Sequence, residues 1–135
     1  MNEMSGKKIF AKLIFVLYII AVAALCFMHL DNIPSVSTDI FGIPTDKAVH
    51  FLMFFPFPLL ALAAFGRLTK KPWHSLVFVL IVFFVGCILA MATEIGQGFT
   101  TYRTADPDDF RADGIALAIS SVIALIIDLR KQFRK

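Results

Sequence analysis

Four long apolar segments constrain the fold of this chain more than any other feature of its sequence. The segments are Ile9 to Met28, Ala48 to Phe65, Trp73 to Thr93 and Ile115 to Ile127. A helix rises about 1.5 Å per residue, so about 20 residues cross the hydrocarbon core of a bilayer. The first three segments are long enough, and the fourth is long enough if Asp109 to Gly114 form the first turns of its helix.

The composition indicates an all-α integral membrane protein. Of the 135 residues, 59% are hydrophobic and only 17% are charged. A soluble domain of this length has too little interior for so many apolar side chains. We therefore predict a polytopic membrane protein with four transmembrane helices in one bundle, forming a single domain over residues 1–135. The helices are expected at about 9–28, 47–65, 73–93 and 110–128.

Two prolines interrupt the second segment, in the sequence FFPFPLLA. Proline lacks an N–H and clashes with the preceding turn, so we expect this helix to bend or open near Pro56. Membrane helices tolerate such a break where neighbouring helices or water satisfy the freed carbonyl groups.

Basic residues concentrate on one side of this four-helix arrangement. Ten of the thirteen Lys and Arg residues lie there: Lys7, Lys8, Lys12, Arg67, Lys70, Lys71, Arg130, Lys131, Arg134 and Lys135. Since cytoplasmic loops attract Lys and Arg, both termini are expected in the cytoplasm and the acidic connections outside. The net charge of +3 then belongs to a basic rim beside anionic lipid, and no motif indicates a nucleic-acid partner.

Polar residues collect where three of the helices are expected to meet the outer face. Asp46 and His50 are four residues apart, and Glu94 and Gln97 are three apart, so each pair shares a helix face. The candidate site residues are Asp46, Lys47, His50, Glu94, Gln97, Arg103, Asp106, Asp109 and Asp113. Because a carboxylate at membrane depth needs a partner, we predict that these side chains form a polar pocket.

The side chains available suggest the chemistry. His50, Glu94 and Asp109 are the candidate catalytic residues, because a Glu buried beside a His can transfer protons. No Ser or Cys nucleophile lies with them, and Cys26 and Cys87 lie within apolar segments, as is typical of packing residues. The donor types suit a divalent metal, but no spacing such as H-E-x-x-H is present, so neither a metal ligand nor a cofactor is assigned.

The other six residues are candidate binding residues. They are Asp46, Lys47, Gln97, Arg103, Asp106 and Asp113. Lys47 and Arg103, together with Arg111, carry the charge to hold a phosphate or carboxylate on a headgroup. Simpler structural roles compete with binding: Asp106 before Pro107 has the pattern of a helix N-cap, and Lys47 that of an interfacial anchor.

The segments DKAVHF, EIGQ and DPDDFRAD, with an arginine between the last two, resemble the VanZ-like family of small bacterial membrane proteins. In that family D-K-x-x-H-F lies in one helix, E-x-x-Q ends the next, an Arg follows, and D-x-x-D-[LF]-x-A-N begins the last. The matching residues are Asp46, Lys47, His50, Phe51, Glu94, Gln97, Arg103, Asp106, Asp109 and Asp113. This chain departs from the pattern at Asp113, where Asn is usual, at Ala116, where Gly is common, and at Gly96, where many members have a second His.

This resemblance implies the bacterial inner membrane and a cell-envelope role, since the family is named for low-level resistance to the glycopeptide teicoplanin. We therefore expect the protein to bind or process an envelope lipid or a lipid-linked cell-wall precursor at its extracytoplasmic face. The alternative is a non-enzymatic interaction or assembly protein whose polar cluster is structural. A proton-coupled carrier using His50 and Glu94 is disfavoured, because no chain of ionisable residues crosses the spans and their inner halves look apolar.

Overall fold

A computed structural model describes residues 2–28, 41–66, 71–101 and 103–134. These residues contain five helices: α1 (Asn2–Phe27), α2 (Thr45–Phe54), α3 (Pro56–Phe65), α4 (Pro72–Gly98) and α5 (Pro107–Phe133). α2 and α3 follow each other in one span, so four spans are long and apolar enough to cross a membrane. The spans pack together and this part of the chain has no strand, which confirms the predicted all-α bundle of four transmembrane helices.

Parts of two predicted connections, residues 29–40 and 67–70, lie outside the described residues. The same holds for Arg67, Lys70 and Lys135 of the basic set on which the expected orientation rests.

The outward surfaces of the spans are apolar, as a bilayer requires. Leu17 on α1 is 65% exposed and Ile88 on α4 is 69% exposed. A contiguous surface of such side chains would drive association in water, whereas lipid tails accommodate it. The exposure pattern therefore agrees with the membrane assignment made from composition.

The second span is divided at Phe55, one residue before the position at which the prolines predict a break. Pro56 and Pro58 provide no backbone N–H, so Leu52 and Phe54 lose the partners that a continuous helix would give their carbonyls. The N–H of Phe55 still donates to the carbonyl of Phe51 at 3.0 Å, which closes the last turn of α2.

The polar residues before the fourth apolar segment belong to α5. Asp106 is the N-cap: its Oδ1 accepts the N–H of Asp108 at 2.9 Å, and Pro107 occupies the first helical position. The N-cap role considered from the sequence is thus confirmed. Because the helix starts here, Asp109 and Asp113 lie in its first two turns, on one face.

Close packing between α4 and α5 positions the polar ends of both helices. Ala90 and Ala116 are fully buried, and a Cβ added at Gly86 would lie 2.6 Å from a methyl group of Leu117. Small residues allow helix backbones to approach closely in membrane bundles. α2 and α3 also pack on α5, whereas α1 packs mainly on α3.

Candidate functional site

One end of the bundle collects the polar side chains, and we call it the polar end. It is the end at which α1 and α4 finish and α2 and α5 begin. All nine candidate residues lie there, on α2, α4, α5 or the segment that leads into α5. The sequence predicts that these residues lie together, and the structure brings them to the same end of the bundle.

His50 is the centre of this cluster. Its Nδ1 lies 3.2 Å from Asp113 Oδ1 and 3.7 Å from Glu94 Oε1, and its Nε2 lies 3.5 Å from Asp109 Oδ2. His50 is 4% exposed and Asp113 is fully buried. The imidazole of α2 thus contacts carboxylates from both α4 and α5, because both helices present these residues on their buried faces.

Glu94 links the end of α4 to the segment before α5. Its Oε2 accepts the backbone N–H of Asp106 at 3.0 Å. Its Oε1 is buried and has no hydrogen-bond partner among the described residues. One oxygen of this carboxylate therefore has a structural role, and the other is directed towards His50 without a hydrogen bond.

Lys47 bridges α2 to the start of α5. Its Nζ lies 3.1 Å from Asp106 Oδ2, 3.3 Å from Asp109 Oδ1 and 3.6 Å from Asp46 Oδ2. The N–H of Asp108 and the ammonium of Lys47 hold the pKa of Asp106 below its usual value. The negatively charged carboxylate of Asp106 therefore has two roles: Oδ1 caps α5, and Oδ2 pairs with Lys47.

Gln97 and Arg103 hold the end of α1 against the site. Gln97 Nε2 donates to the carbonyl of Cys26 at 3.0 Å, and Arg103 Nη1 donates to the same oxygen at 3.3 Å. The last carbonyls of a helix lack partners within the helix, so these side chains satisfy one that would otherwise be free. Both residues have at least this structural role.

A cavity of about 510 Å³ opens beside this cluster, and we call it the polar chamber. Its polar wall includes His50, Asp109, Asp46, Gln97 and Arg103. A volume of this size is typical of sites for small ligands or headgroups.

A second cavity of about 290 Å³ lies between α1 and α2, and we call it the apolar groove. It is lined only by apolar side chains and Tyr18, and it shares Leu25, Val49 and Met53 with the polar chamber. The two cavities thus meet along one wall. No sequence signal identified these three residues, because each is one apolar residue among many.

Buried polar side chains also lie towards the opposite end of the bundle. Asp128 on α5 is 5% exposed, and Gln132 Nε2 donates to its Oδ2 at 3.4 Å and also to Ser75 Oγ. Between the two ends, Ser120 and Ser121 are buried with no hydrogen-bond partner for their hydroxyls among the described residues. The inner halves of the spans, expected to be apolar, therefore contain buried polar side chains, and the helical period places Asp128 on the buried face of α5.

Comparison with known proteins gives one family. The family model described as VanZ/LLP1 matches residues 15–128. Neither the curated proteins nor the solved structures give a match. The matched range contains the nine residues of the polar end and all of α2, α3 and α4, and it confirms the resemblance found in the motifs. This multi-pass membrane protein therefore belongs to the VanZ/LLP1 family.

Proposed function

We propose that the protein binds an amphiphilic envelope lipid or a lipid-linked cell-wall precursor, with its headgroup in the polar chamber and its chain in the apolar groove. The observation that carries this proposal is the wall of Leu25, Val49 and Met53 that the two cavities share. An amphiphile has the same division between a polar and an apolar part. Its chain can reach the groove from the bilayer, because Leu25, Val49 and Leu52 of the groove are exposed on the outside of the bundle.

The charges of the chamber restrict the headgroup. Arg103 provides donors for a phosphate, whereas Asp46 and Asp109 accept hydrogen bonds from hydroxyl or amine groups. A headgroup that combines a phosphate with such donors satisfies both. Phospholipids and lipid-linked sugar phosphates have this chemistry.

The distribution of basic residues along the bundle supports an extracytoplasmic site. Among the described residues, Lys7, Lys8, Lys71, Arg130 and Lys131 lie towards the end of the bundle opposite the polar chamber. An excess of Lys and Arg is typical of the cytoplasmic side, so the polar end faces outwards in our proposal.

Processing of the bound molecule is the enzymatic form of this proposal. His50 is supported by Asp113 on one ring nitrogen, and its other nitrogen faces Asp109 at the chamber wall. A histidine oriented by a carboxylate can accept or donate a proton on a bound headgroup. Glu94 and Asp109 complete the candidate catalytic group.

A steric block of the shared wall tests the proposal. Val49→Trp fills the junction of chamber and groove, and Val85→Trp is the matched control, because Val49 is 46% exposed and Val85 on α4 is 50% exposed. The probes are phosphatidylglycerol and undecaprenyl phosphate, with binding to the detergent-solubilised protein measured by native mass spectrometry. We expect one probe to bind wild type and Val85→Trp, and Val49→Trp to bind it at least about tenfold more weakly. Equal binding by all three proteins would contradict the proposal.

The second candidate function is an interaction or assembly protein whose polar cluster only joins the helices. The bonds of Gln97 and Arg103 to Cys26 favour it, since they hold α1 to the rest of the bundle. Glu94→Gln distinguishes the two functions. A structural cluster predicts a less stable and less abundant variant with no lipid effect. A ligand site predicts a stable variant that loses the melting-temperature shift that lipid causes in the wild type.

A further inference from the structure

Three carboxylates surround one imidazole at the base of the polar chamber. Glu94 comes from α4 and Asp109 and Asp113 come from α5, and each has an oxygen 3.2 to 3.7 Å from a ring nitrogen of His50. None of the four residues is more than 9% exposed. The cluster therefore lies in the protein interior and not on a solvated acidic surface.

The positive charge near this cluster does not balance it. Among the described residues, the lysine that reaches it is Lys47, which contacts Asp109 but also faces Asp46 and Asp106. Arg103 donates to the carbonyl of Cys26. With a protonated imidazole, the three carboxylates have ion-pair contacts with two positive charges among the described residues, and Lys47 divides its charge between Asp109, Asp46 and Asp106. Excess buried charge is costly, above all within a membrane.

Glu94 supplies an independent observation. Its Oε1 is buried and has no hydrogen-bond partner in the described part of the chain, and Glu94 as a whole is 6% exposed. Buried side-chain oxygens nearly always have a partner. This oxygen is directed into the cluster, 3.7 Å from His50 Nδ1. An additional positively charged group in contact with Glu94 would satisfy it.

We propose that His50, Glu94 and Asp109 bind one divalent transition-metal ion at the base of the polar chamber. One nitrogen or oxygen from each residue lies within 4.8 Å of the others. In the tetrahedral geometry usual for zinc, ligand atoms about 2.1 Å from the ion are about 3.4 Å apart, so the set closes on an ion if each donor atom moves by up to about 0.8 Å. The ion offsets the excess negative charge and gives Glu94 Oε1 a partner.

Asp113 is a positioning residue in this arrangement. Its Oδ1 lies 3.2 Å from His50 Nδ1, which leaves Nε2, on the side of Asp109, for the ion. Glu94 Oε1 lies 3.7 Å from Nδ1 and moves towards Nε2 to ligate it. A histidine that ligates a metal usually donates its other N–H to a carboxylate or carbonyl, and that bond fixes the ring. The fully buried Asp113 provides such a carboxylate.

The donor set suits Zn²⁺ or Mn²⁺, since it combines one imidazole with two carboxylates and contains no thiolate. His50 and Asp109 line the chamber, so an ion here has coordination positions open towards it. In the proposed function those positions contact the phosphate of the headgroup. That last step rests on the proposed function, whereas binding of the ion does not.

Zinc binding by the full chain tests the site. The protein is stripped with a chelator in detergent, incubated with Zn²⁺, separated by gel filtration and analysed for metal by mass spectrometry. We expect about one zinc per wild-type chain, and affinities at least about tenfold weaker in His50→Ala and Glu94→Gln. His74→Ala and Asp108→Asn are matched controls, because they remove an exposed histidine and an exposed carboxylate. Both should bind zinc as the wild type does.

Two results would overturn the site. One is a wild type that retains no zinc, and the other is folded His50→Ala and Glu94→Gln proteins that retain it. If the variants do not fold, X-ray absorption of zinc-loaded wild type decides, with only nitrogen and oxygen ligands expected. Sulfur ligands would place the ion at Cys26 or Cys87 and reject the proposal. Lipid binding is measured separately on chelator-treated wild type and Val49→Trp, so the proposed function can fail or hold independently.

Discussion

His50 Nδ1 and Asp113 Oδ1 lie 3.2 Å apart in the buried contact between α2 and α5. This pair joins the half-span that carries the histidine to the helix that carries most of the carboxylates. Asp113 occupies a position at which the family motif usually has Asn. Asp113 thus places a carboxylate at a fully buried point, next to Asp109 and Glu94.

Asp113→Asn tests the consequence of that charge. An amide oxygen still accepts the N–H of His50, but the variant removes one of three neighbouring negative charges. In metal-free protein we expect the unfolding free energy to rise by about 1 kcal/mol, because the amide keeps the hydrogen bond to His50 while the repulsion among three neighbouring carboxylates is reduced. Denaturing-detergent titration in mixed micelles measures it, with Asp108→Asn as the exposed control. A clear loss of stability would show that the wild-type charge is fully compensated.

Gln97 and Arg103 should act on α1 as a pair. Each donates to the carbonyl of Cys26, so the remaining donor still satisfies that oxygen when one is removed. We expect Gln97→Ala and Arg103→Ala each to cost less than about 1 kcal/mol, and the double variant to cost more than their sum. Unfolding of the four proteins in a double-mutant cycle measures the difference. Additive losses would mean that the two side chains act through separate contacts.

Gly86 and Gly114 should respond in opposite directions to added side chains. A Cβ at Gly86 would lie 2.6 Å from Leu117 and 3.1 Å from Phe57, whereas a Cβ at Gly114 meets nothing within 4 Å. We expect Gly86→Leu to cost about 2 kcal/mol or more, because it separates α4 from α5.

Gly114→Ala is the matched substitution within α5. It should stabilise the protein by about 0.5 to 1 kcal/mol, because alanine restricts the unfolded chain and favours the helix. Thermal unfolding in one detergent compares the two variants. Equal effects of both substitutions would argue against the close approach of α4 and α5 at Gly86.

The proposed orientation can be tested with single cysteines placed at the two ends of the bundle. Thr101 lies at the polar end and Arg134 follows α5 at the other end, and both are exposed. We expect a membrane-impermeant maleimide to label Thr101→Cys in intact cells, and Arg134→Cys only after the membrane is permeabilised. Wild type measures the background from Cys26 and Cys87. The reverse pattern would place the polar chamber in the cytoplasm.

Much of the architecture could be predicted, because spans and helix faces depend on local patterns. The apolar lengths predict the four spans, Pro56 predicts the break, and the spacing of Asp109 and Asp113 places both on one face of α5. Asp106 could be recognised as an N-cap from its position before Pro107. These features need only the helical period and the chemistry of helix ends.

Contacts between helices could not be predicted in the same way. The carbonyl of Cys26 accepts two hydrogen bonds, but every residue has a backbone carbonyl, so the sequence does not indicate which one is the acceptor. Val49 and Met53 line both cavities only because α2 turns them towards α1. The burial of Asp128 depends on which face of α5 packs against α4, and composition cannot give that.

The break at Phe55 divides the second span into α2 and α3, which have different roles in the bundle. α2 carries Lys47 and His50 and packs on α5, whereas α3 packs on both α5 and α1. A continuous helix would fix the direction of both halves together. The prolines thus divide the second span into a half that brings Lys47 and His50 to the polar end and a half that makes most of the contacts of this span with α1.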